Sequence, residues 1–239
     1  MTPTLVLVAH GSRDPRFADT TRRVRAAVAD RLPGVRVELS YLDLDSPSVG
    51  EVLTDLAEPP VVVPLLLADG YHSKIDLPAL IAEHHPQARQ TAVIGTHSLV
   101  SGLTDRLVEA GLSGRDGILL CSVGSSDQGA DLHARRRAIE LSTRLNRPVE
   151  VVFATKLGTE NRMVRLAIRR LRATGAQQIA LSPYFLSAGL LTERVEAALD
   201  EFETGVRVAG PLGTHPAVID AISSEYLRAA RLSTIATGL

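Results

Sequence analysis

The stretch Leu5-Val6-Leu7-Val8-Ala9-His10-Gly11-Ser12-Arg13-Asp14-Pro15 decides the fold class. Five apolar residues in a row, with no polar alternation, read as a strand covered on both faces, as strands of parallel sheets are. Gly11 and Ser12 end the run. Phe17, Val24, Val28 and Leu32 then recur at helical spacing, so a strand passes almost directly into a helix. The pattern repeats along the chain. Further apolar runs lie at 35–41, 61–67, 92–94, 118–123, 149–154, 179–186 and 206–209. Helical patterns separate them, among them Leu99, Leu103 and Leu107, and Met163, Val164, Ala167, Ile168 and Leu171 with Gly175 as C-cap. Eight strands alternating with eight helices make an α/β chain.

The two halves share landmarks. His10-Gly11-Ser12 parallels Val123-Gly124-Ser125, Pro64 and Gly70 parallel Pro183 and Gly189, and Gly95-Thr96-His97 returns as Gly213-Thr214-His215. Three landmarks in one order at nearly one spacing indicate duplication. Ser113, Gly114 and Gly117 break the pattern between the halves, which predicts domains at 1–114 and 115–239. Eight βα units fit either a single (β/α)8 barrel or two four-stranded doubly wound domains, and composition does not choose between them.

Of the 239 residues, 45% are hydrophobic, enough for a packed core, and the net charge is −1. That balance excludes the basic excess of a nucleic-acid or anionic-membrane binder. No apolar run reaches the roughly 18 residues of a membrane span, and the chain enters its first strand at Thr4 without a basic leader, so a cytoplasmic protein is expected. The single cysteine, Cys121, excludes an internal disulfide or a cysteine-ligated cluster.

Doubly wound sheets bind ligands at the carboxyl ends of their strands, near the point where strand order reverses. His10 follows the first strand, Asp43 the second and His72 the third. With the order 2-1-3-4, two imidazoles and a carboxylate converge on one crevice. Neutral imidazoles suit Fe, Co, Ni and Zn, and a carboxylate can complete the shell or accept protons. His97 and His215 recur in both halves and read as structural, while His84, His85 and His133 sit in helical patterns. There is no GxGxxG, GxxxxGK[ST] or GxSxG, which removes dinucleotide, P-loop and serine-hydrolase readings. A histidine phosphatase needs Arg-His-Gly at this strand end; Ala9 occupies the arginine position.

The segment from Leu5 to Pro15 resembles the opening of the sirohydrochlorin chelatases, the class II tetrapyrrole chelatases of siroheme and cobalamin synthesis. Pro64-Leu65-Leu66-Leu67-Ala68-Asp69-Gly70-Tyr71-His72-Ser73-Lys74-Ile75-Asp76-Leu77-Pro78 is similar to that family's second histidine motif. Pro183-Tyr184-Phe185-Leu186-Ser187-Ala188-Gly189-Leu190-Leu191 is similar to the second-domain motif of its long members. The resemblance covers essentially the whole chain. It implies two tandem doubly wound, chelatase-like domains, the N-terminal one carrying the metal site and the C-terminal one forming the opposite wall of a cleft.

It further implies insertion of a divalent metal, Fe2+ first and Co2+ next, into sirohydrochlorin. The metal is then a substrate and no cofactor stays bound. His10 and His72 become the metal-handling pair, with Asp43 standing where short members carry glutamate. Ser12, Arg13, Ser73 and Lys74 lie in the same loops and are expected to meet the carboxylates of the tetrapyrrole. Ser125, Lys156 and Tyr184 are the counterparts expected from the second half. One metal site per chain is expected, because Val123, Thr155 and Leu191 align with His10, Asp43 and His72. Two other functions fit the same residues: a tetrapyrrole or metal carrier without turnover, and a phosphohydrolase. Monomer and homodimer are both open.

Overall fold

Leu5–Ala9 forms strand β1, and all five of its residues are buried. The computed structural model describes residues 2–125 and 127–236. In chain order the further strands are β2 (Val37–Tyr41), β3 (Val61–Pro64), β4 (Arg89–Gln90), β5 (Asp116–Ser122), β6 (Val149–Phe153), β7 (Gln178–Pro183) and β8 (Arg207–Val208). The helices are α1 (Pro15–Arg31), α2 (Val49–Thr54), α3 (Leu77–His84), α4 (Val100–Glu109), α5 (Gln128–Leu145), α6 (Arg162–Ala173), α7 (Leu190–Asp200) and α8 (Pro216–Ala236).

Two four-stranded parallel sheets result, ordered β2-β1-β3-β4 and β6-β5-β7-β8. Two doubly wound sheets with one strand order replace the barrel alternative and agree with duplication. In each sheet the reversal of strand order lies between its first and third strands, so the loops after β1 and β3 open side by side. One core packs Val6, Val8 and Val62 against Val49, Leu53, Leu77 and Ile81. Another packs Leu119, Cys121, Leu181 and Val152 against Val164, Ile168, Val195 and Leu199. Burial of Cys121 pushes its thiol up to about 12, which removes it as a metal thiolate.

The fourth strand departs from the expectation at 92–94. The ladder takes the more polar Arg89 and Gln90, whereas Val93 and Ile94 enter a 3-10 turn, Ile94–Thr96, and are buried there. Burial makes a strand and a packed turn look alike in an apolar run this short. The strands that end on Pro64 and Pro183 also stop sooner than their apolar runs. In both sheets the next N–H still continues the ladder: Leu65 donates to Val8 O at 2.7 Å and Tyr184 to Cys121 O at 2.7 Å.

The halves 1–114 and 115–239 were expected from sequence landmarks, whereas the compact units interleave. Met1–His97 joins Gly213–Leu239 in one unit, and Ser98–Leu212 forms the other. The last helix of each repeat is exchanged: α8 packs on α1 and β3, while α4 packs on α5 and β7. The crossings fall at the two Gly-Thr-His landmarks. His97 Nε2 lies 2.9 Å from buried Glu225 Oε1 on α8, and His215 Nδ1 accepts the Ala217 N–H at 3.1 Å at the start of α8. Those contacts are the structural work expected of the repeated histidines.

Helix α8 buries Val218, Ile219, Ile222 and Tyr226, and the Tyr226 hydroxyl donates to Pro3 O at 2.8 Å. Each large side chain contributes about 1.5–3 kcal/mol on burial, so four approach the ~5–15 kcal/mol by which a whole domain is stable. A chain shortened to residues 1–114 should therefore lose cooperative unfolding. Circular dichroism during a urea titration checks this; a sharp two-state transition in the shortened chain would refute the exchanged packing.

Candidate metal centre

His10 stands directly after β1, held by what surrounds Gly11. Gly11 has φ +96°, and a Cβ there would lie 1.6 Å from the Asp43 carbonyl oxygen. Only glycine allows this left-handed turn at such close backbone approach. The loop after β2 is stitched to it, since Leu42 N–H donates to Ala9 O and Asp43 N–H to His10 O, each at 2.9 Å. Beyond the glycine, Ser12 N–H donates to Asp45 Oδ2 at 2.9 Å. Asp14 caps α1 by accepting Arg16 N–H at 3.0 Å, ahead of Pro15. The Arg16 side chain bonded to it holds the Asp14 carboxyl below its usual range.

His72 comes from the loop after β3 and opens a π-helical turn, His72–Asp76, that runs into α3. Leu77 N–H donates to His72 O, five residues back. Pro78 has no N–H for the Lys74 carbonyl and its ring crowds that oxygen, so the regular helical ladder fails there and the turn widens. Ser73 fixes the turn from within: it is buried, and its hydroxyl lies 2.7 Å from Asp69 Oδ1 and 2.9 Å from Gly70 O. Gln90 Nε2 donates to Ser73 O at 2.7 Å, tying the turn to β4.

The two imidazoles meet. Their Nε2 atoms are 3.0 Å apart, and the rings are edge to face with centroids 4.4 Å apart. His72 Nδ1 lies 2.7 Å from Asp76 Oδ2, and His10 Nδ1 lies 3.1 Å from Gly11 O. These three contacts would need three protons, whereas two neutral rings carry two. If both Nδ1 atoms donate to their oxygens, both Nε2 lone pairs face the same point. A cation there, with bonds of about 2.0–2.1 Å to each nitrogen, would see an angle of roughly 90–100°. That suits adjacent positions of an octahedral ion.

The other expected residues divide. Asp43 lies beside His10 through its backbone, but its exposed carboxylate accepts the Leu44 N–H at 2.8 Å. Among the described residues no three His, Cys, Asp or Glu side chains are placed to hold a metal together. Asp43 therefore is not a third ligand with the imidazoles in this arrangement. Ser73 is buried, and its hydroxyl is bonded within the turn. Lys74 is exposed at the turn, 3.8 Å from Asp69 Oδ2, and Arg13 is exposed in the loop after β1.

In the second repeat Tyr184 is buried in its own unit, so it is no surface contact. The Ser125 hydroxyl accepts Asp127 N–H at 3.1 Å, and Lys156 Nζ pairs with Asp131 Oδ2 at 2.6 Å. Val123, at the position of His10, is exposed. Asp76, which the sequence reading did not single out, contacts His72 directly. Its signal was present as a histidine and a carboxylate four apart at a helix start, a spacing that puts both on one face.

Among the described residues no helix is long and apolar enough to cross a membrane. The CbiX family model matches residues 4–110 and again 117–229, one match per repeat. A sirohydrochlorin cobaltochelatase of Priestia megaterium is 27% identical over 234 residues, covering 89% of this chain and 75% of that protein. A sirohydrochlorin ferrochelatase of the same organism is 23% identical over 238 residues, covering 92% and 88%. In fold the chain is similar to the sirohydrochlorin chelatase SirB from Bacillus subtilis subspecies spizizenii, solved in complex with cobalt. The TM-score is 0.78 at 21% identity, covering 97% of this chain and 96% of that one. With both repeats matched in order, the chain belongs to the CbiX family.

Proposed function

We propose that this protein is a metal chelatase, a lyase that inserts Fe2+ or Co2+ into sirohydrochlorin in siroheme or cobalamin synthesis. The observation that carries the reading is the 3.0 Å approach of the His10 and His72 Nε2 atoms. Relatives named for cobalt and for iron both resemble the chain over most of its length, and imidazole nitrogen accepts either ion.

Insertion requires the ion to lose bound water and the macrocycle to lose two pyrrole protons. His10 and His72 replace two waters while leaving the remaining positions of the ion open to pyrrole nitrogens. Asp43, exposed on the loop bonded to His10, takes one of the two protons that the macrocycle releases, and the other passes to solvent water. Ser12, Arg13 and Lys74 on the flanking loops face the substrate's peripheral carboxylates, with Lys74 exchanging its loose pairing to Asp69 for a substrate carboxylate. Arg13 and Lys74 act as surface cations, so their contribution weakens as salt rises.

The test is sirohydrochlorin absorbance with Fe2+ and with Co2+. Wild-type protein should accelerate insertion of at least one ion, and His10→Ala and His72→Ala should each lower the rate tenfold or more with the fold unchanged by circular dichroism. Binding of metal or tetrapyrrole without turnover would identify a carrier instead, and hydrolysis of phosphate esters abolished by His10→Ala would identify a phosphohydrolase.

Asp43→Asn separates proton transfer from binding. It should lower kcat at least fivefold while the Kd for sirohydrochlorin, measured by fluorescence, changes less than twofold. Equal losses in both quantities, or none in either, would remove Asp43 as the proton acceptor.

A further inference from the structure

Resting on the assignment of His10 and His72 as the metal pair, we infer that Asp76 is a positioning residue that makes the pair unequal. His72 becomes the firm ligand and His10 the one that releases first as the ion passes to the macrocycle.

The two rings differ in what holds their far nitrogens. Nδ1 of His72 sits 2.7 Å from a carboxylate oxygen of Asp76. Nδ1 of His10 sits 3.1 Å from the carbonyl oxygen of Gly11, the next residue in the chain. Both oxygens can only accept from the rings, so each favours the tautomer with its proton on Nδ1 and a lone pair on Nε2. A carboxylate does so more strongly than a neutral amide, and it also raises the donor strength of the opposite nitrogen. His72 therefore arrives with its tautomer fixed and its Nε2 the better donor.

The supports differ in the same direction. Asp76 and His72 share one π-helical turn whose interior is pinned by the buried Ser73 hydroxyl and by Gln90. His10 has only the backbone of its own loop at Nδ1. Metal transfer between two ligand sets needs one protein bond to break before the other, because the macrocycle must gain nitrogens as the protein loses them. Unequal donors set that order, where two equal donors would leave it undefined.

The experiment uses the full chain and Co2+ alone, followed by cobalt absorbance and by calorimetry. Asp76→Ala should weaken Co2+ binding about 10–100-fold. Asp76→Asn, which keeps an acceptor of the same shape without the charge, should fall between it and the wild type. His72→Ala should lose more affinity than His10→Ala. Nitrogen-15 NMR of the imidazoles gives a readout that a merely structural role would not move: His72 should carry its proton on Nδ1 in the wild type and shift toward Nε2–H in Asp76→Ala. If neither histidine variant alters Co2+ binding, the metal-pair assignment itself fails. If both do, but Asp76→Ala binds within twofold of wild type or His72 keeps its tautomer, the positioning role of Asp76 is overturned and the pair stands.

Discussion

Two imidazole nitrogens held 3.0 Å apart are the constraint around which the N-terminal repeat is arranged. Left without a proton or cation between them, two facing lone pairs repel, so side chains this close need a rigid frame. Adjacency of β1 and β3 in the sheet supplies it, because the loops after neighbouring parallel strands emerge side by side. Gly11 then lets the loop after β2 press against the first at a distance no side chain would permit. The widened turn before Pro78 presents His72 from the other side.

The second repeat has the same frame without the two imidazoles. Gly124 has φ +88°, and a Cβ there would lie 2.6 Å from Thr155 Oγ1, so the close approach of the corresponding loops persists. Ser125 N–H donates to Asp131 Oδ1 at 2.9 Å, much as Ser12 N–H does to Asp45. Val123 and Thr155 offer no nitrogen or carboxylate, and the Thr155 hydroxyl donates to Val123 O at 2.8 Å. Backbone geometry is conserved between repeats by packing, while the chemistry depends on single side chains that packing does not hold.

What could be read from sequence follows from that division. Continuous apolar runs revealed the buried strands, and the shared landmarks revealed the duplication, since both arise from burial and backbone conformation local to the chain. His10 and His72 were legible because strand order converts their positions into proximity. The exchange of α4 and α8 was not legible, since a helix of given apolar face fits either sheet of a duplicated pair and the choice is made in three dimensions. The inward orientation of Ser73 and the burial of Tyr184 were not legible either, because each depends on how its loop packs in three dimensions. The two-residue β4 was lost beneath the stronger apolar signal of Val93 and Ile94, which serve a turn.

One pair of imidazoles, and no second centre, is proposed to handle the metal. A Co2+ titration of the intact protein, read by X-ray absorption at the cobalt edge, tests it most directly. About one tight equivalent per chain is expected, with imidazole scattering that disappears in the His10→Ala, His72→Ala double variant. Two tight equivalents, or one that survives removal of both histidines, would contradict it.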